Sequence, residues 1–303
     1  MKVAVVFPSI AFREGPERVL DLARAIEDMG YDEIAVFDHV VMGHPGKGRT
    51  TIYPAKMPIL EALMLLSSVA AVTTRVSLAT EVLVLPQRQP VLVAKQVSTL
   101  DTLSGGRVRL GIGVGWQDSE YDALEEDFGT RGKRMDEAID LLRTYWAGGR
   151  IEFAGEHYQS HDMGMEPVSP QGAALPLWIG GDSPAALRRV ARAGDGWMAS
   201  GVSDERALEA VAEIRRRAEE EFERDPDAIG MQLMLAPPPR TEADKGFYGD
   251  LDLIGERAAV VAALGFDWTS VNATAVFQAG ARSVDAMIER LGEIAARIRA
   301  ETG

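Results

Sequence analysis

The chain has 303 residues, an apolar content of 46%, a formal net charge of −14 and no cysteine. This length and apolar content suit one large soluble domain, such as an α/β barrel. The acidic balance argues against non-specific binding to nucleic acid, and the lack of cysteine excludes disulfides, thiolate metal sites and cysteine nucleophiles.

Apolar periodicity predicts alternating strands and helices along the first half of the chain. Pro16 and Pro58 mark helix starts, whereas Gly30 and the turn at 104–106 mark helix ends. The predicted strands are 3–7, 33–37, 76–82 and 108–112, and the predicted helices are 16–29, 58–72, 91–103 and 131–146.

The alternation is interrupted at about 148–175, which we interpret as an insertion with a hairpin of 151–153 and 158–160. It then resumes with strands 177–179, 196–199, 230–235 and 268–273, and helices 183–193, 204–223, 252–264 and 283–299. Eight such units predict a (β/α)8 TIM barrel, one domain over 1–303, with its insertion between helix 4 and strand 5. A doubly wound sheet usually has fewer units and a GxGxxG turn after its first strand, where this chain has Phe7-Pro8-Ser9.

Functional residues of such barrels lie at the carboxyl ends of the strands. His39 is the one histidine at a predicted strand end, where it can act as an acid, a base or a hydrogen-bond donor. Alternatively, Asp38 and His39 only anchor the loop 38–57. Asp38 and Glu81 could form an acid/base pair, or one of them could be the structural partner of an arginine or histidine.

Other chemistries find little support in the sequence. No HExxH or His-x-His motif occurs and His39 has no obvious second ligand, so we expect no metal site. Ser9, Ser200 and Ser203 lack the context of a nucleophile elbow, which argues against a hydrolase. No apolar run is long enough to span a membrane and no signal peptide is evident, so we expect a cytoplasmic protein.

Two glycine-rich segments predict a ligand. Gly111, Gly113 and Gly115 alternate along the end of a strand, so backbone there could approach a flat or anionic ligand. The segment 179–184 reads IGGDSP, which is either an ordinary turn or a helix start that binds an anion such as phosphate. The two together favour a phosphorylated cofactor.

Several motifs give the chain a family resemblance. They are FDH at 37–39, ATEVLVLPQRQPVLVAKQVSTLDTLSGGRVRLGIGVGW at 79–116, RGKRMDEAIDLLR at 131–143, PLWIGGDSP at 176–184 and RAGDGW at 192–197. The chain resembles the bacterial luciferase-like superfamily and, within it, the flavin- or deazaflavin-dependent oxidoreductases. The resemblance implies a (β/α)8 barrel with an insertion and a flavin-type cofactor at the strand ends.

The resemblance also implies roles for individual residues. In relatives that use the deazaflavin coenzyme F420, a histidine matched by His39 lies by the reactive ring, and a non-prolyl cis peptide maps to Glu81-Val82. The implied catalytic residues are His39 and Asp38. The implied cofactor-binding residues are Phe7, His39, Thr80, Glu81, Val82, Gly113, Gly115, Trp116, Gly180, Gly181 and Ser200.

Departures from the family narrow the expected function. Deazaflavin-dependent sugar-phosphate dehydrogenases carry a glutamate after the glycine loop and a tryptophan after the histidine, where this chain has Trp116 and Met42-Gly43-His44. We therefore do not expect sugar-phosphate oxidation. The histidine pair and second subunit of true luciferases are not evident either, so we do not expect light emission.

The expected function is hydride transfer between coenzyme F420 and an unidentified small organic substrate. The alternative is a two-component monooxygenase that uses reduced FMN and dioxygen. A flavin or F420 reductase would supply reduced cofactor, and a homodimer is implied by the family. Two further alternatives are a cofactor carrier without catalysis and a cofactor-free barrel lyase or hydrolase.

Overall fold

The computed structural model describes residues 1–46, 52–236, 244 and 246–303. Within them, eight parallel strands form a closed barrel in the order β3-β2-β1-β11-β10-β9-β8-β5, and pairing of β3 with β5 closes the ring. The strands are β1 Lys2–Val6, β2 Glu33–Val36, β3 Ser77–Thr80, β4 Leu83–Val84, β5 Val108–Gly113, β6 Ile151–Ala154, β7 Gln159–Met163, β8 Leu177–Gly180, β9 Gly196–Ala199, β10 Gly230–Met234 and β11 Trp268–Asn272. The predicted TIM barrel is confirmed.

Helices surround the barrel, most of them within a few residues of the predicted bounds. They are α1 Pro16–Asp28, α2 Ala62–Ala70, α3 Pro90–Ser104, α4 Asp118–Ala123, α5 Arg131–Ala147, α6 Pro184–Ala193, α7 Asp204–Phe222, α8 Leu251–Ala263, α9 Ala273–Gln278 and α10 Val284–Thr302. Helix α2 starts later than predicted because the Glu61 side chain caps it, accepting the Met64 N–H at 2.8 Å. Among the described residues, no helix combines the length and apolar character needed to cross a membrane.

The predicted hairpin in the insertion is present. Strands β6 and β7 pair antiparallel between α5 and β8. The carboxylate of Glu137 on α5 accepts the backbone N–H groups of Glu156, His157 and Tyr158, which fastens the hairpin turn to the helix.

The prediction of one continuous strand over 76–82 is wrong. Strand β3 ends at Thr80, a cis peptide bond joins Glu81 to Val82, and the short β4 then pairs with β5. The cis bond lies where the family resemblance implied it.

The barrel interior carries polar side chains that satisfy one another. Arg109 forms a buried ion pair with Glu33 and donates a hydrogen bond to Gln232 Oε1 at 2.7 Å. Its guanidinium lies 4.1 Å from the ring centroid of Trp178 and 4.3 Å from that of Trp268. A buried charge that is paired, hydrogen-bonded and stacked avoids most of the penalty of leaving water.

The glycines of β5 are explained by close packing inside the protein. A Cβ at Gly111 would lie 2.0 Å from the Thr80 carbonyl oxygen, one at Gly113 2.6 Å from Val82 Cγ2, and one at Gly115 2.6 Å from Val84 Cγ1. The interpretation of this edge as open to a ligand is therefore corrected, because the segment 80–84 fills the space. Cofactor contact by Gly113 and Gly115 stays a prediction.

We expect Gly111→Ala to destabilise the barrel by about 3 kcal/mol or more, because its Cβ would meet a backbone carbonyl that cannot move aside. Urea denaturation measures the change. Gly292→Ala is the control, because a Cβ there meets nothing within 4 Å, and alanine in helix α10 should stabilise by up to about 1 kcal/mol. Equal stability of the two variants would contradict the packing argument.

Candidate active site

Three aromatic side chains meet at the carboxyl ends of β2 and β5. The imidazole of His39 lies edge-on to the indole of Trp116, with ring centroids 5.6 Å apart, and to the phenol of Tyr53 at 5.9 Å. The His39 side chain is 11% exposed and the Trp116 residue 38% exposed. The rings of Tyr53 and Trp116 form a largely apolar wall beside the imidazole of His39.

A glutamate that the sequence analysis missed lies directly behind this histidine. Glu120 on α4 is buried, and its Oε2 lies 3.1 Å from His39 Nδ1. Its Oε1 accepts the backbone N–H groups of Val40 at 2.5 Å and of Val41 at 3.3 Å. Periodicity could not reveal the contact because 81 residues separate the two side chains.

Packing on the glycine loop explains why α4 brings Glu120 to this position. The hydroxyl of Tyr121 donates to the Val114 carbonyl at 2.6 Å, and the ring of Tyr121 lies beside Gly115, 3.5 Å from where a Cβ would be. The Gln117 amide donates to the Val41 carbonyl at 3.0 Å. Although α4 is short, these contacts fix it to both the glycine loop and the loop that follows β2.

The surroundings of Glu120 favour its ionised form. Burial acts to raise the pKa of this carboxyl, but His39, the Gln87 amide and the Val40 N–H together outweigh burial and hold the pKa below its usual value. Glu120 is therefore a carboxylate at neutral pH.

Asp38, predicted as catalytic, braces the structure. Its Oδ2 accepts the Val84 N–H at 2.8 Å and its Oδ1 accepts from Arg88 at 2.6 Å, while Arg88 also pairs with Glu61 at 3.1 Å. Burial raises the pKa of Asp38, although Arg88 and the Val84 N–H oppose the rise. This arrangement matches the alternative in which one of the two predicted carboxylates is the structural partner of an arginine.

Glu81, the other carboxylate, points towards the polar groups inside the barrel. Ser270 Oγ donates to its Oε1 and Gln232 Nε2 to its Oε2, both at 2.9 Å. Burial raises the pKa of Glu81 to about 7, and the nearby charge of Glu33 adds to the rise while Ser270 and Arg109 oppose it.

The remaining predicted site residues fall into two groups. Phe7 and Thr80 are buried, and Thr80 Oγ1 donates to the Gly111 carbonyl at 2.6 Å. The Val82 side chain packs against Gly113 and Gly180, whereas Ser200 is exposed at the rim of the barrel. The buried residues of this set shape the barrel mouth through packing, whereas Ser200 lines its surface.

The turn after β8 has features that suit an anionic group. Gly181 is exposed with φ +105°, and the ten-residue helix α6 begins just beyond it. Arg206 on α7 donates to the Asp182 carbonyl at 2.9 Å, which places a guanidinium beside the turn. Pro184 has no N–H and Ser183 Oγ already accepts the Ala186 N–H at 3.2 Å, so it is mainly the positive helix end and the arginine that favour phosphate here.

One group of possible metal ligands occurs in the described part of the chain. Glu137, Glu156 and His157 bring ligand atoms within 4.8 Å of one another where α5 meets the turn of the insertion hairpin. The Glu137 carboxylate already accepts three backbone N–H groups of that turn, and the group does not lie at the carboxyl end of a barrel strand.

We expect Glu81→Gln to stabilise the protein more at pH 8.5 than at pH 5.5, by about 2 kcal/mol. Because the folded-state pKa of about 7 exceeds the ordinary 4.5, the unfolded chain ionises first as the pH rises, so wild-type stability falls between these values and stays lower above pH 7. Chemical denaturation at both pH values measures the difference.

Glu27→Gln is the control for this experiment. The backbone N–H groups of Thr74, Arg75 and Val76 outweigh burial and hold the pKa of Glu27 below its usual value, so this group is ionised in both states across the range. Its variant should lose equal stability at both pH values. A pH-independent effect of Glu81→Gln would contradict the expected titration.

The family model for luciferase-like monooxygenases matches residues 4–267. An uncharacterized protein of Mycobacterium tuberculosis is 35% identical over 69% of this chain and 74% of its own length. An F420-dependent glucose-6-phosphate dehydrogenase of Gordonia bronchialis is 28% identical over 83% of this chain and 74% of its own.

The fold also has a solved counterpart. The crystal structure of the monooxygenase RslO1 from Streptomyces bottropensis superposes with a TM-score of 0.74 at 20% identity, covering 96% of this chain and 98% of that one. The match to the family model confirms the resemblance inferred from the motifs. The chain is an oxidoreductase that belongs to the luciferase-like monooxygenase family.

Proposed function

We propose that this protein transfers a hydride between coenzyme F420 and a small organic substrate at the mouth of the barrel. The observation that carries the proposal is His39, in its FDH motif, held beside Trp116 at the strand ends. The name of the Gordonia relative, an F420-dependent dehydrogenase, supports the same cofactor.

The residues at the mouth fit a flat ring with a phosphate tail. His39 and Trp116 offer a ring edge and an apolar face, and the turn at Gly181 with Arg206 offers hydrogen-bond donors and positive charge. When bound, the deazaflavin supplies a ring that accepts or releases a hydride. His39 exchanges a proton with the substrate, donating it when the substrate is reduced, and the aromatic wall positions the reactants and excludes water.

The mouth favours a substrate with a substantial apolar part. Val40, Val41 and Ile52 are exposed large apolar residues on the loop that follows β2, and His39 and Tyr53 of the same loop lie beside Trp116. Exposed apolar side chains clustered at a site typically mark a binding surface. We infer that sugar phosphates are not substrates, because Trp116 replaces the glutamate of that subfamily.

A second candidate is an FMN-dependent monooxygenase that uses reduced FMN and dioxygen. The description of the family and the similarity to RslO1 favour it. Ring chemistry separates the two functions, because reduced flavin reacts readily with dioxygen and reduced deazaflavin does so poorly.

We further infer a homodimer and a separate reductase that supplies reduced cofactor in the cytoplasm. The exposed Met64 on α2 and Leu92 on α3 support an interface on these helices. A symmetric dimer would bury the same apolar patch on both copies.

Titration of the purified protein with F420 and with FMN, each oxidised and reduced, tests the proposed cofactor. We expect quenching of F420 fluorescence with a micromolar or lower Kd and no comparable binding of FMN. Preference for reduced FMN, together with oxygen uptake, would establish the monooxygenase instead. Failure of both cofactors to bind would reject both functions.

Arg206→Ala should weaken F420 binding about tenfold, because it removes a charge-assisted contact to the anionic tail. Arg216→Ala is the matched control, since Arg216 lies on the same helix about 15 Å further along and pairs with Glu220. The difference between the variants should shrink as salt screens the attraction. Equal affinities at low salt would remove Arg206 from the site.

A further inference from the structure

One carboxylate holds both the catalytic ring and the chain that follows it. The Glu120 side chain is 1% exposed, its Oε2 faces His39 Nδ1 at 3.1 Å, and its Oε1 accepts the N–H groups of Val40 and Val41. His39 and its two successors are therefore fixed by a single side chain from a different strand–helix unit.

The hydrogen-bond partners determine where the protons lie. Backbone N–H groups only donate, so Oε1 of Glu120 is an acceptor, and the surroundings keep the carboxyl ionised. An ionised carboxylate accepts through both oxygens and cannot donate. The hydrogen between Glu120 and His39 therefore belongs to Nδ1.

We propose that Glu120 is a positioning residue that fixes His39 as the Nδ1–H tautomer and leaves Nε2 to face the reacting groups. Within the described part of the chain, Nε2 has no hydrogen-bond partner. The proposal rests on the proposed function only for the task of Nε2, because the tautomer follows from contacts within the protein.

The tautomer decides which way His39 can work. A neutral ring with hydrogen on Nδ1 carries a lone pair on Nε2, which can accept one proton from a substrate X–H group. A bound F420 would supply the acceptor for the hydride that the adjacent carbon releases. The C–H and X–H bonds break, a C=X bond forms, and the imidazolium stays beside the Glu120 carboxylate. The reverse reaction returns the same proton.

A purely structural role for Glu120 would consist of holding Val40 and Val41 in place. Glutamine at this position can still accept those two N–H groups, but it is neutral and its amide can also donate. Glu120→Gln therefore preserves the anchor of the loop while it removes the charge that selects the tautomer.

The test is 15N NMR of the full-length protein labelled at histidine, with the ring nitrogens observed in the neutral form. The chain has four histidines, so His39→Asn identifies the His39 signals. We expect the Nδ1–H tautomer to dominate in the wild type, and its ratio to Nε2–H to fall about fivefold or more in Glu120→Gln, because a charge-assisted bond becomes a neutral one.

Glu137→Gln is the matched control, because that carboxylate on α5 also accepts several backbone N–H groups but holds the turn of the insertion hairpin. It should leave the His39 signals unchanged. An Nε2–H ring in the wild type, or an unchanged ratio in Glu120→Gln, would overturn the proposal.

The NMR test of Glu120 gives an answer whichever cofactor the protein binds. If Glu120→Gln does not fold, judged by circular dichroism, the wild-type spectrum alone decides, since it reports the tautomer directly. If the wild type binds no F420, the proposed function fails while the spectrum still confirms or rejects the role of Glu120.

Discussion

The barrel mouth depends on one constraint, which is that three positions at and just beyond the end of β5 are glycines and carry no side chain. Only glycine at position 111 allows the carbonyl of Thr80 to approach as it does, and the glycines at 113 and 115 receive the side chains of Val82 and Val84. The segment after β3 can therefore cross against β5 and pair with it as β4. This crossing directs Glu81 to the barrel axis and builds the rim on which the site lies.

Below the rim, the barrel holds a network of buried polar groups beside a small apolar cluster of Val6, Ala35, Ala79 and Met234. Arg109 links Glu33 to Gln232, and Gln232 in turn donates to Glu81. Arg109 is paired with Glu33 and hydrogen-bonded to Gln232, although its Nη1 has no hydrogen-bond partner, and the network gives the mouth a fixed floor. The high pKa of Glu81 follows from its place at the end of this network, where burial exceeds the stabilisation of its charge.

At the mouth, two carboxylates brace the loop after β2 from different sides. Asp38 binds Arg88 and the backbone of β4, whereas Glu120 binds His39 and the next two backbone N–H groups. The ring of His39 is thus oriented by tertiary contacts and not by its own strand. Preorganisation of this kind lets a site favour one geometry of the reacting atoms.

The sequence by itself determined the alternation of strands and helices, the barrel that eight such units imply, the place of His39 at a strand end and the family. Those features follow from local periodicity and from short motifs, which survive without knowledge of distant contacts. The sequence did not reveal the break between β3 and β4 at 81–82 or the short helices α4 and α9. It also did not show that the glycines at the end of β5 serve close packing. Nor did it reveal Glu120 as the partner of His39. Only the closed barrel decided these points, because it brings residues 80–84 against β5 and Glu120 against His39, and such pairings between separate strand–helix units leave no periodic trace in either segment.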